Sequence, residues 1–135
     1  MLPQLKDTVI IYKNNQKNRA TKPAANIVNW PDEALFNFLV TEEDTQGKYA
    51  LIETVQRQGH EPFPQTHPIS DVVFYVMAGE MAFTVDGQTI AAPAGSNVFI
   101  SKGQTYAFTV KTETANTLIL FSPAISQEYY QMLRR

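Results

Sequence analysis

The sequence predicts an all-β domain followed by one short C-terminal helix. Three observations carry that expectation. Short β-branched and aromatic runs recur from Leu35 to Phe121, each bounded by Gly, Pro or polar residues. Asp86-Gly87 separates two alternating runs and suits the type I′ turn of a tight hairpin, whose two central residues both need positive φ. Beyond Ser122 the apolar period changes, with Ile125, Tyr129, Met132 and Leu133 at i, i+4, i+7 and i+8 on one helical face.

The elements follow in order. Thr8 to Tyr12 is β-branched and apolar and reads as a strand. The polar stretch from Lys13 to Pro23 carries four basic residues and no acid. It reads either as an arm for an anionic ligand or RNA, or more simply as a solvated loop, since four charges in eleven residues fall short of a basic block. Ile27 to Trp30, ended by Pro31, is a further short strand. Leu35 to Val40 and Lys48 to Gln56 are strands around a polar turn from Thr41 to Gly47. Six more runs follow: Asp71–Met77, Glu80–Val85, Gln88–Ala92, Asn97–Ile100, Tyr106–Val110 and Asn116–Phe121. Ser122 is expected to cap the last helix, with Pro123 as its first residue, where a missing N–H costs nothing. Arg134 and Arg135 suit its C-terminal end.

Composition bounds the function. The chain has 135 residues, 44% of them hydrophobic, enough for one domain with a single core. Eight Phe, six Tyr and one Trp favour a barrel or sandwich interior. A net charge of −2 offers no basic face for nucleic acid. Without cysteine there are neither disulfides nor thiolate metal sites. No apolar run approaches the ~20 residues that span a bilayer, so no membrane role is expected. The first residues lack the basic start and apolar block of an export signal, which makes the cytoplasm the default location.

Two segments keep a fixed spacing. Gly59, Gln65, His67, Val72 and Gly79 match the intervals of G-x5-H-x-H-x4-E-x6-G, and Gly95, Ser101, Gly103, Tyr106 and Val110 match G-x5-P-x-G-x2-H-x3-N. Those are the two segments by which a cupin is recognised, and the chain resembles that superfamily over about residues 35 to 133. The run Phe74-Tyr75-Val76-Met77-Ala78-Gly79-Glu80 and the late Ser-Pro-Ala before an aromatic helix look most similar to single-domain members described as quercetin-dioxygenase-like. The resemblance implies a double-stranded β-helix, a jelly-roll barrel over residues 35–122. Residues 1–34 would pack on it and residues 123–135 would form the helix, one structural domain in all. It also implies a homodimer.

In that family two histidines, a carboxylate and a third histidine point into the barrel and hold a metal. Side chains two apart on a strand share a face, which is why the pattern needs His-x-His. Here the four seats hold Gln65, His67, Val72 and Tyr106. His67 is a sound ligand, Gln65 and Tyr106 are weak ones, and Val72 has no electron pair to give. Asp71 would reach the acidic seat only if the strand slipped by one residue and expelled Val72, Phe74 and Val76, or if a bulge intervened. The expectation is therefore no metal and no cofactor. A small-molecule ligand would sit among apolar walls including Val72, Phe74 and Phe108, oriented by Gln65, His67 and Tyr106.

Two other readings stand beside it. One is a dioxygenase-type enzyme with a reduced metal site. The other is metal-free acid–base catalysis with His67 abstracting a proton and Tyr106 donating one, although no carboxylate is clearly placed to orient His67. His67 could equally be a core histidine, and Tyr106 a core filler with its hydroxyl at the barrel mouth. His60-Glu61 reads as a solvated loop. Val73, Tyr75 and Met77 face outward, where the N-terminal strand, the C-terminal helix or a second subunit would cover them.

Overall fold

Alternation along the strands decides the architecture. The computed structural model describes residues 8–13, 16–21 and 36–133. The chain separates into two compact units, Met1–Glu33 and Ala34–Arg135. In the first, β1 (Thr8–Lys13) and β2 (Gln16–Thr21) form an antiparallel hairpin with Thr8 opposite Thr21. The expected solvated loop is thus largely a strand. Hairpin pairing is made by backbone groups, so a run of polar residues can pair too. The expected strand from Ile27 to Trp30 and the arginines at 134 and 135 lie outside the described residues.

The second unit holds β3 (Phe36–Val40), α1 (Glu42–Thr45), β4 (Ala50–Arg57), β5 (Gln65–Thr66), β6 (Asp71–Ala78), β7 (Glu80–Val85), β8 (Gln88–Pro93), β9 (Asn97–Ile100), β10 (Thr105–Val110), β11 (Thr114–Ser122) and α2 (Gln127–Leu133). They form a four-stranded sheet in the order β5-β10-β7-β8 and a five-stranded sheet in the order β3-β4-β11-β6-β9. This is the all-β jelly roll with a short C-terminal helix that the sequence predicts. None of the helices among the described residues is long and apolar enough to cross a membrane.

Inward positions repeat every second residue. Val72, Phe74 and Val76 on β6 meet Phe121, Ile119 and Thr117 on β11 in register, and all six are buried. Phe108 on β10 pairs with Phe83 on β7. Phe74 reaches across from the other sheet, its ring 4.9 Å from Phe83 and 5.8 Å from Phe108. Those edge-on contacts join the two sheets into one core. The hairpin turn has Asp86 at φ 48° and Gly87 at φ 85°, as the dipeptide requires. Gly79 is needed for a second reason: a Cβ there would lie 2.9 Å from the Ala115 Cα.

Two local expectations are corrected. The Thr41–Gly47 turn contains the single-turn helix α1, capped reciprocally by Thr41 and Asp44. The last helix begins at Gln127 rather than Pro123. Ser122 still pairs with Asp71 at the end of β11, so it cannot also start a helix; the Ser126 hydroxyl accepts the Tyr129 N–H instead. The later start also turns the face. Tyr130 becomes the buried anchor, against Phe36, Phe38 and Phe121, while Met132 is exposed.

Candidate functional site

The predicted site residues converge at one mouth of the barrel. β5 pairs with β10 so that Gln65 lies directly opposite Tyr106. Two residues on, His67 turns to the same side and is buried. Its carbonyl accepts the Gly103 N–H at 2.9 Å, so the turn before β10 fixes the backbone that carries the imidazole. The ring packs edge-on against Phe121 with centroids 5.2 Å apart.

The hydrogen bonds there have one consistent direction. The Tyr106 hydroxyl donates to Gln65 Oε1 at 3.2 Å. A phenol has a single proton, so His67 Nε2, 2.9 Å from the same oxygen, must be the donor to it. His67 Nδ1 is then a bare acceptor for the Tyr129 hydroxyl at 3.4 Å. At the other end Gln65 Nε2 donates to the Leu133 carbonyl at 3.2 Å. Tyr129 and Leu133 are both on α2. The circuit therefore leaves the helix, crosses three residues of the rim and returns to a helix-end carbonyl that has no intrahelical partner.

Burial favours the neutral forms of the two central members, His67 and Tyr106. Burial holds His67 below its ordinary pKa. Burial also pushes the Tyr106 phenol far above its usual range, with the Tyr130 and Tyr129 hydroxyls adding to the effect. Such a pair orients groups by hydrogen bonding more readily than it moves protons at neutral pH.

The spacing assigns four positions, Gln65, His67, Val72 and Tyr106, to the inward seats. Val72 points inward and is fully buried, so the strand has not slipped. The Asp71 carboxylate accepts the Lys102 N–H at 2.9 Å, which holds it in the turn before β10. Among the described residues no group of three His, Cys, Asp or Glu side chains could hold a metal ion. Glu61, expected in a solvated loop, instead accepts the Val110 N–H at 2.9 Å and ties that loop to β10. Burial raises its pKa, but hydrogen bonds from the Val110, Glu61 and Gly59 backbone and the nearby His60 outweigh that and leave it lowered.

The expected pocket divides in two. Inside the barrel, Gln65, Phe74, Tyr106 and Phe108 line a cavity of about 20 Å³ together with Gln56 and Tyr130, room for roughly one water molecule. Val72 and His67 do not line it. His67 instead borders an outer cleft of about 270 Å³ with Tyr129. Gln56 and Tyr129 were not anticipated. Gln56 could have been read from its parity with Ile52 and Thr54 on β4; Tyr129 depends on where the helix lands.

The cupin-domain family profile matches residues 51–122, more than half of the chain. The chain belongs to the cupin family. No curated protein sequence matches it. Among solved structures, a Salmonella typhimurium protein described as ethanolamine utilization protein Q is 30% identical, with a TM-score of 0.57 over 67% of this chain and 69% of that one. The cupin domain of Schizosaccharomyces pombe Cnp3 is 13% identical at a TM-score of 0.66, covering 87% and 85%. KdgF from a Halomonas species is 14% identical at 0.62, covering 70% and 81%. The last two likenesses concern the fold alone.

Proposed function

We propose that this cupin is a metal-independent, non-catalytic binding module for a small molecule, with a degenerate metal site at its barrel mouth. The observation that carries the reading is the uncharged hydrogen-bond circuit Tyr129–His67–Tyr106–Gln65–Leu133, beside a valine in the acidic seat. His67 has both nitrogens engaged, and Tyr106 is held as a neutral phenol. An ion entering there would have to break the circuit to gain one good ligand.

Elemental analysis of protein purified without an affinity tag tests this. The expected result is only trace metal; stoichiometric iron, nickel, copper or manganese would defeat the reading. A constructive test sharpens it. Val72→Glu, Gln65→His and Tyr106→His together should create nickel or zinc affinity, measured by calorimetric titration. If the triple variant folds and binds no more metal than the parent, the assignment of the four seats fails. The reading includes the homodimer that the family resemblance implies. Sedimentation velocity reads that directly, and a monomer at all concentrations would remove it.

A further inference from the structure

A ligand larger than water needs more room than the cavity of about 20 Å³ inside the barrel. The outer cleft of about 270 Å³ lies between the connection from β5 to β6 and the one from β11 to α2, with Tyr129 at its edge. Pro68 and Ile69 form one wall; Pro123, Ala124 and Ile125 form the other. The walls are fixed to each other and to the barrel. The Ser70 hydroxyl donates to the Pro123 carbonyl at 2.8 Å, and the Ala124 N–H donates to the Gly47 carbonyl at 3.0 Å. A space held open by such bonds and by two prolines is pre-formed, so a ligand need not order it.

Its chemistry is specific. Apolar side chains dominate, and Ile69 stands 68% exposed on the rim, where a bound molecule would cover it. Among the described residues no lysine, arginine or carboxylate lines the cleft. The polar groups are the Ser70 hydroxyl, already committed to the Pro123 carbonyl, and the His67–Tyr129 pair. That pair is the loosest link of the circuit, at 3.4 Å against 2.9 Å on the other side of the ring. His67 Nδ1 can accept from a ligand hydroxyl, and the Tyr129 hydroxyl can donate to the same oxygen.

The geometry points to this cleft as a binding site for a compact, neutral, mostly apolar molecule bearing one hydroxyl. An apolar cavity of about 150 Å³ suffices for benzene, so the cleft admits a ring with a short polar arm. The role given to His67 Nδ1 rests on the metal-independent reading, whereas the apolar walls of the cleft do not depend on it.

Benzyl alcohol is a suitable probe, followed by amide chemical shifts on the full chain. Saturable shifts are expected at Ile69, Ser70, Ala124 and Ile125. Benzoate and benzylammonium should bind at least about tenfold more weakly, because the cleft would bury their charge unpaired. Ala124→Trp should fill the cleft and abolish the shifts. Ile69→Asp alters only the exposed rim, so it should fold normally and weaken binding by about tenfold, the loss expected when a charge borders apolar contact. Silence at those amides, shifts confined to Phe74 and Phe108, or equal binding of the charged analogues would overturn the site. Stoichiometric metal with benzyl alcohol still in the cleft would defeat the metal-free reading yet support the cleft. Metal-free protein with a silent cleft would defeat the cleft alone.

Discussion

Tyr106 and Phe108 are two residues apart on one strand and face the same way, yet they belong to different kinds of interior. Phe108 joins Phe74 and Phe83 in an aromatic cluster, where stability comes from filled volume. Tyr106 joins His67 and Gln65 at the mouth, where stability comes from each polar atom having a partner. The contrast teaches that this barrel keeps the polar groups at its mouth by closing them into a circuit. The two regions should therefore respond differently to the same severity of truncation.

The largest effect is expected in the aromatic region. Phe83→Ala removes a fully buried ring from the contact between the sheets and should cost about 3–5 kcal/mol, read as a lower denaturation midpoint with little change in slope. A loss below about 1 kcal/mol would mean that the neighbours collapse into the space, and the distinction between filled and partnered regions would weaken. At the mouth, Tyr106→Phe changes almost no volume but strips partners from His67 Nε2 and Gln65 Oε1. Leaving such groups buried and unpaired should cost about 1–3 kcal/mol. The imidazole ¹⁵N shifts give a second readout. They should report the Nε2–H tautomer in the parent and a mixture in the variant; an unchanged tautomer would show that Tyr106 does not set it.

Much of this contrast was legible in the chain. Fixed intervals between turn glycines set the register, which put Gln65 opposite Tyr106 and turned His67 to the same side. Alternation likewise placed Val72 inward and left Asp71 for the Lys102 turn. What the sequence hid depends on distance along the chain or on rotamers. Ser122 and Ser126 are equally good caps, and only the extension of β11 to pair with Asp71 decided between them. That choice moved the helix by four residues, which brought Tyr129 and the Leu133 carbonyl to the rim. The volume left inside depends on how Phe74, Phe108 and Tyr130 fill the barrel, and no spacing rule reports that. The result is that His67 opens outward to the cleft rather than inward.

The smallest expected effect separates the two regions by pH, since the aromatic cluster cannot titrate. Burial lowers the His67 pKa in the folded state below its unfolded value of about 6.5. Between those two values the unfolded chain binds more protons, so stability rises with pH there. The contribution is fully present above about pH 7.5 and is lost as pH falls through the unfolded value, with a slope of at most about 1.4 kcal/mol per pH unit for one proton. Glu61 works at lower pH: its lowered pKa gives stability that disappears only in the acid range of carboxylates. Denaturation midpoints between pH 8 and about 5.5 should therefore fall with acid in the parent, and His67→Gln should flatten that fall while Phe83→Ala leaves its slope intact. A slope that survives the loss of His67 would place the titrating group elsewhere and break the link between the mouth and the pH response.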